Sequence, residues 1–236
     1  MILKLSAVLG LVVMLSELAI SSDNSSYYEQ DSEKFVPQDN VESAFLSINR
    51  AEFLDPEDAH LANLDQPISI GYGQTTSQPS LMKNMVRWLD LRPGDSVLEI
   101  GTGSGYLTAV LAKLANEVYT VEIIPELFDR AMATLTRLGV TNVYGRCQNA
   151  AIPWGDGQRF DKIIVSAACK KCPQALLDQL NLNGIIIIPM DRGEEGHVLV
   201  KIEKDDAGNY SQTDLCPVRF VPFIEEEIME QEFLPE

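Results

Sequence analysis

The sequence predicts an α/β protein, a doubly wound and mostly parallel sheet with an antiparallel pair at one edge. Three observations carry this expectation. Short, near-continuous apolar runs alternate with amphipathic stretches, the pattern of parallel strands covered on both faces. One such run opens directly into a loop with glycine at every second position, Gly101, Gly103 and Gly105, and a helical stretch follows. After Pro189 the helical stretches stop, and two β-like segments remain with turn-rich residues between them.

In chain order, residues 22–39 are polar and rich in Ser, Asp, Glu and Gln, a flexible lead-in. Residues 41–48 (VESAFLSI) have helical apolar spacing and open the folded region. Residues 54–70 hold Pro56 and Pro67 with little periodicity and read as irregular. The regular alternation then begins: a helix over 82–89, a strand over 96–100 and a helix over 106–114. A strand over 117–121 and a helix over 125–138 follow, with Pro125 in the helix's first turn and Gly139 as its stop. Further strands are expected over 143–147, 162–166 (KIIVS) and 185–188 (IIII), with a helix over 173–180. Residues 197–202 (HVLVKI) and 218–224 (VRFVPFI) form the expected antiparallel pair. The organisation expected is a leader and flexible segment over 1–40, one domain over 41–224 and an acidic tail over 225–236.

With 45% hydrophobic and 22% charged residues, the 236-residue chain can bury a sizeable core, which excludes global disorder. Its 35 acidic against 18 basic residues give a net charge of −17, which argues against a nucleic-acid partner. Four cysteines and two histidines leave little material for a metal centre or a disulfide scaffold, His60 and His197 have no partner at metal-ligand spacing, and no metal is expected. A monomer is expected.

Residues 1–20 (MILKLSAVLGLVVMLSELAI) place one lysine before an apolar run. Ala19-Ile20-Ser21 has the small-x-small form of a signal-peptide cleavage site, although Glu17 interrupts the run. As a membrane span the run is marginal, since about 20 apolar residues are needed. A true start at Met14 would remove the leader. Membrane contact is expected only if the leader is retained.

The glycine loop is the most informative segment. A dinucleotide fingerprint has the form G-x-G-x-x-G, whereas the third glycine here comes one residue early and Tyr106 takes its place. Glu99, two residues before the loop, would add negative charge beside a pyrophosphate. A carboxylate suits a ligand with an ammonium group and no phosphate, and S-adenosylmethionine is such a ligand. Glu122 ends the next strand, roughly where a ribose-binding acid is expected. The fold class is therefore refined to a Rossmann-like class I methyltransferase. The donor-binding residues expected here are Glu99, Gly101, Thr102, Gly103, Gly105, Tyr106, Glu122 and Ile123.

Gly71-Tyr72-Gly73-Gln74-Thr75-Thr76-Ser77-Gln78-Pro79, ahead of that loop, resembles the protein-L-isoaspartate (D-aspartate) O-methyltransferase family. So do Ser166-Ala167-Ala168, Pro173-Gln174-Ala175-Leu176, Leu182-Asn183-Gly184 and Val218-Arg219-Phe220-Val221-Pro222. The resemblance runs over about residues 41–224 on motif placement. It implies methyl transfer from S-adenosylmethionine to the α-carboxylate of L-isoaspartyl residues in damaged proteins and peptides, a repair reaction. It also implies Ser77 as the active-site serine, orienting the acceptor by a hydrogen bond, although Ser77 also suits a helix cap before Pro79. The acceptor-binding residues expected are Thr76, Ser77, Ala168, Cys169 and Lys170.

This chain departs from the family pattern in three places. Gln148-Asn149-Ala150 stands where the family usually has Gly-Asp-Gly; the resemblance thus adds Gln148 and Asn149 to the expected donor-binding set, with Asn149 holding the adenine amino group without a charge. Cys169-Lys170-Lys171-Cys172 replaces a small apolar segment; its lysines could draw in an acidic acceptor, and its thiols read as ordinary ahead of a redox pair or half a zinc site. Glu99 stands where many relatives carry aspartate. Two other readings remain: a class I methyltransferase acting on another small molecule, and a non-catalytic domain that recognises isoaspartyl sites. S-adenosylmethionine is kept inside cells, so a cytoplasmic protein is expected, with export or membrane tethering through residues 1–20 as the alternative.

Overall fold

The computed structural model describes residues 38–155 and 157–224. In chain order the elements are α1 (Gln38–Ser47), β1 (Ile68–Gly71), β2 (Gln74–Thr76), α2 (Pro79–Trp88), β3 (Ser96–Ile100) and α3 (Tyr106–Leu114). They continue with β4 (Glu117–Glu122), α4 (Pro125–Arg137), β5 (Val143–Cys147), β6 (Phe160–Val165), α5 (Gln174–Asp178), β7 (Leu180–Asp191), β8 (His197–Lys204) and β9 (Tyr210–Val218). Pro79 and Pro125 open α2 and α4 at positions where a missing N–H breaks no helical hydrogen bond.

Strands β3 to β9 form one seven-stranded sheet in the order β5-β4-β3-β6-β7-β8-β9. The first five in that order are parallel; β8 runs antiparallel to β7, and β9 antiparallel to β8. The chain builds outward from β3 through β4 to β5, then returns to β3's other side for β6 and β7. The order therefore reverses between β3 and β6, and the crevice beyond their carboxyl ends is where such sheets bind ligands.

Alternation along each strand divides the core in two. Val97, Ile164, Ile185, Ile187 and Leu199 face one side with α1, α2 and α3, where Met85, Val110 and Leu111 are fully buried. Leu98, Ile100, Ile163, Val165, Ile186 and Ile188 face the other side with Leu176 of α5. Burying an aliphatic side chain of this size stabilises by about 1.5–3 kcal/mol, so the stacked isoleucines hold the sheet between its helical layers.

Helix α3 falls on the residues the periodicity predicts, and α4 ends one residue early. The expected antiparallel edge is present, but its second strand is not residues 218–224. It is β9, whose outward-facing residues are polar and exposed, so no apolar run marks it. Helix α5 has five residues where eight were expected, and β7 runs to twelve, through the left-handed Asn183. A 3-10 turn at Arg50–Phe53 lies just before the stretch read as irregular; within that stretch another forms at Ala59–Leu61, and near its end β1 begins, pairing with β2 as a hairpin. Its central residues, Tyr72 and Gly73, both have positive φ (56° and 67°), as a twisted two-residue hairpin turn requires. The expectations for residues 1–37 and 225–236 lie outside the described residues.

Candidate active site

The bend after β3 depends on glycine at Gly101, where φ is 91°. A Cβ there would come within 3.3 Å of Ser166 Cβ at the end of β6, so a side chain would push into the crevice between the two central strands. The bend is fastened to the neighbouring strand by the N–H groups of Gly101 and Thr102, which both donate to the Val121 carbonyl (2.8 and 3.2 Å).

Two glutamates flank this bend, and the structure assigns them different positions. Glu122, ending β4, turns its carboxylate to the bend. One oxygen accepts the N–H of Gly103 (2.9 Å), and the other accepts those of Ile123 and Ile124 (2.8 and 3.0 Å). A carboxylate offers about four lone-pair sites, so acceptor capacity remains for a ligand hydroxyl. Glu99 shares its face of β3 with Val97 and lies beneath α3, fully buried. One of its oxygens accepts the hydroxyls of Thr108 (2.6 Å) and Thr120 (2.7 Å), while its other oxygen has no protein partner. Because Thr120 spends its proton on Glu99, Thr102 must be the donor in the 2.6 Å Thr102–Thr120 contact. A hydroxyl relay thus runs from the bend down to Glu99. Burial, opposed by the two threonine bonds, pushes the Glu99 carboxyl up to about 7.

A cavity opens over the bend. Gly101, Gly103, Glu122, Ile123 and Gln148 of the expected donor set line it, together with Gln74 and Thr75 of the hairpin and residues 221–224 of the C-terminal strap. Glu99, Thr102, Gly105, Tyr106 and Asn149 are not among its lining residues. Tyr106 is buried and packs edge-on against Phe45 and Phe53. Gly105 abuts α4, where an added Cβ would lie 3.2 Å from Ala131 Cβ. Asn149 is buried, and its Oδ1 accepts the Ala151 N–H (2.8 Å). Glu99, read from the sequence as a ligand-facing acid, is sealed beneath the bend and supports it from there.

A second cavity adjoins the first and shares the walls formed by Thr75, Ser166 and Val221. Ser77 lines this second cavity, so the hairpin brings it to the glycine bend's neighbourhood as the motif order implies. The other expected acceptor residues do not line it. Thr76 is buried in β2. Ala168 is buried and forms a parallel bridge to Pro222, donating to the Val221 carbonyl (2.7 Å) and accepting from Phe223 (2.8 Å). Cys169 is buried and bridges to Met190, and Lys170 is exposed away from both cavities. Their motif placed them correctly at the carboxyl end of β6, but after Ser166 the chain is captured by β7 and the strap. Burial pushes the Cys172 thiol up to about 12, the opposite of a reactive thiolate.

Sequence reasoning missed Arg50. Its buried guanidinium donates to the carbonyls of Leu64, Gln66 and Ser77, each at 3.1 Å, and of Ala62 at 3.5 Å. It also lies 6.0 Å from the centre of the Tyr106 ring at the start of α3. One side chain therefore ties the irregular loop, the Ser77 backbone and the helix behind the bend together. Its signal in the sequence was slight: a basic residue among Glu52, Asp55, Glu57 and Asp58 whose charge suggests a surface ion pair.

Two outcomes are expected. The folded Glu99 carboxyl titrates near 7 against an ordinary 4.5, so the folded protein keeps a proton that the unfolded chain releases. Stability then falls as pH rises through that window, by at most about 3 kcal/mol from this group. Glu99→Gln, which cannot ionise, should gain on the native protein between pH 5 and pH 8 in denaturant midpoints; parallel profiles would overturn the assignment. Arg50→Lys presents three donors where a planar fork served four carbonyls. It should lower acceptor kcat/KM roughly tenfold, the loss of one hydrogen bond from a charged group, while leaving donor affinity within about twofold. Equal losses in a donor titration and in acceptor kinetics would reduce Arg50 to a general structural role.

Comparison with known proteins identifies the family. The family model for protein-L-isoaspartate(D-aspartate) O-methyltransferase (PCMT) covers residues 23–228. A protein-L-isoaspartate O-methyltransferase of Ignicoccus hospitalis is 43% identical over 198 residues, spanning 83% of this chain and 93% of that protein. One from Gloeobacter violaceus is 42% identical over 190 residues, spanning 80% and 92%. A solved protein-L-isoaspartate O-methyltransferase superposes with a TM-score of 0.69 at 28% identity, covering 78% of this chain and 61% of that one. The fold is also that of a Plasmodium falciparum enzyme solved with S-adenosyl-L-homocysteine, with a TM-score of 0.70 at 24% identity over 81% of this chain and 93% of that one. By sequence along most of its length and by fold, the chain belongs to the protein-L-isoaspartate (D-aspartate) O-methyltransferase family.

Proposed function

We propose that the protein transfers a methyl group from S-adenosylmethionine to the α-carboxylate of L-isoaspartyl residues in damaged proteins and peptides. The observation that carries this reading is the pair of adjoining cavities, one floored by the glycine bend and one holding Ser77, with Thr75, Ser166 and Val221 common to both.

The donor cavity suits its ligand on this chain's own features. The side-chain-free Gly101 leaves room that a Cβ would fill, and Glu122 is the one charged residue among those lining the cavity. Gly101, Gly103, Glu122, Ile123 and Gln148 would hold the donor, with Glu122 taking its ribose hydroxyls. When bound, S-adenosylmethionine supplies a methyl group activated by a positively charged sulfur. The acceptor needs only a free lone pair, which an α-carboxylate with a pKa of about 3.3–3.7 already offers at neutral pH. A strong general base is therefore unnecessary. The work left to the chain is alignment and exclusion of water. Ser77 would donate its hydroxyl to one carboxylate oxygen and leave the other to react, while Arg50 fixes the Ser77 backbone from beneath. Residues 221–224 of the strap wall the donor cavity against solvent.

The donor reading also supports a cytoplasmic protein, since S-adenosylmethionine is made and kept inside cells. Among the described residues no helix is long and apolar enough to cross a membrane. No cluster of three or more His, Cys, Asp or Glu that could hold a metal occurs among them either.

Incubation with labelled donor, an isoaspartyl peptide and its normal aspartyl twin tests the function. Ester label is expected on the isoaspartyl peptide alone; equal labelling, or none, overturns it. Ser77→Ala should lower kcat/KM by about 10- to 100-fold, as expected for losing one hydrogen bond to a charged group.

A further inference from the structure

The two cavities differ in electrostatic sign, and that difference rests on one residue in each. Among the residues lining the donor cavity the charged one is Glu122; among those lining the Ser77 cavity it is Arg219. The other polar residues lining this cavity, among them Gln78, Ser80 and Asn84, are neutral, with Gln78 and the Ser80 N–H donating to the Asp65 carboxylate behind them. Most arginines of this acidic chain are committed. Arg87, Arg130, Arg137 and Arg192 form ion pairs, and Arg50, Arg146 and Arg159 donate to backbone carbonyls. Arg219 is exposed and, among the described residues, makes neither an ion pair nor a side-chain hydrogen bond.

Its backbone, in contrast, is well held. Val218 on one side pairs with His197 in the edge ladder, and the Phe220 N–H on the other side donates to His197 Nδ1 (3.2 Å). Val221, one residue further, accepts from Ala168 (2.7 Å). The guanidinium thus extends from an anchored strap beside the cavity with its donors unspent. In a chain of net charge −17, an acidic acceptor meets general repulsion, so a local cation is needed where the acceptor enters.

We propose that Arg219 is the specificity-determining residue of the acceptor cavity. Resting on the function proposed above, it selects for an anionic acceptor and holds the isoaspartyl carboxylate beside Ser77 by charge-assisted hydrogen bonds. Lys170, which the sequence suggested for this role, is exposed and lines neither cavity. Arg219 acts on capture and orientation, so its effect falls on acceptor affinity rather than on the methyl-transfer step. Two guanidinium N–H groups can share the carboxylate oxygen that Ser77 bonds and leave the other free to react, an arrangement that a lysine ammonium reproduces only in part.

The test compares native protein, Arg219→Gln and Arg219→Lys, each first checked for an unchanged melting temperature. Acceptor KM should rise about tenfold in Arg219→Gln and by less in Arg219→Lys, with kcat falling far less, as expected for loss of one charge-assisted contact. Binding without turnover is read by calorimetry on protein saturated with S-adenosylhomocysteine. The isoaspartyl peptide should bind the native protein tightly and Arg219→Gln weakly, whereas its α-methyl ester, lacking the charge, should bind both equally. Raising salt from about 20 to 300 mM should weaken peptide binding to the native protein and leave Arg219→Gln nearly unaffected. If native protein esterifies the peptide but Arg219→Gln binds it with the same affinity and salt dependence, the role of Arg219 is overturned and the function stands. If native protein neither binds nor esterifies the peptide, the function itself fails and this inference fails with it.

Discussion

The donor side of the site depends on the Glu122 carboxylate, which accepts three backbone N–H groups and so joins the glycine bend to the end of the neighbouring strand. A bend of this kind has few side chains to hold it, and its amides would otherwise need water or ligand. The second support comes from below, where Thr102, Thr120 and Thr108 link the bend and α3 to Glu99. The two carboxylates sit on adjacent strands yet differ in kind because of burial. Glu122 keeps an edge on the cavity, while Glu99 is sealed in and is driven toward its neutral form. One is available to a ligand, and the other sets the shape that the ligand meets.

The acceptor side is held differently, by contacts between segments distant in sequence. Ser77 follows a hairpin whose left-handed turn at Tyr72-Gly73 fixes its direction, and its carbonyl is gripped by Arg50, 27 residues earlier. The same guanidinium lies against Tyr106, the first residue after the glycine bend. Arg50 thereby holds the acceptor loop against the start of α3, although it lines neither cavity.

This division explains what could be read in the sequence. The β3–bend–α3 unit is local, its apolar run and glycines are adjacent, and its boundaries were legible to the residue. The position of Ser77 beside the bend was legible because its motif is contiguous. Glu99 was misread because proximity to the bend does not reveal which face of β3 a side chain takes; alternation with the core-facing Val97 was the available clue. Strand β9 was displaced because an edge strand with a polar outer face carries no apolar signature, while the apolar residues after it cover the cavities instead of pairing in the sheet. Arg50 belongs to no motif and its burial depends on carbonyls up to 27 residues away, so nothing local announced it, whereas Lys170, suggested for the acceptor by its place after β6, is exposed and lines neither cavity.

The placement of charge follows the chemistry of the reaction. A cationic donor and an anionic acceptor must approach within bonding distance, and the methyl group that passes between them removes one charge from each. Glu122 in one cavity and Arg219 in the other match the reactants in sign and lose that match when the acceptor becomes a neutral ester. Attraction is therefore greatest before transfer and weakest after it, which favours release of the ester without a separate opening motion. The same arrangement disfavours reversed docking, since a positively charged sulfur would meet Arg219 and a carboxylate would meet Glu122. The walls shared by the two cavities, Thr75, Ser166 and Val221, are uncharged and leave this opposition unscreened where the two ligands meet.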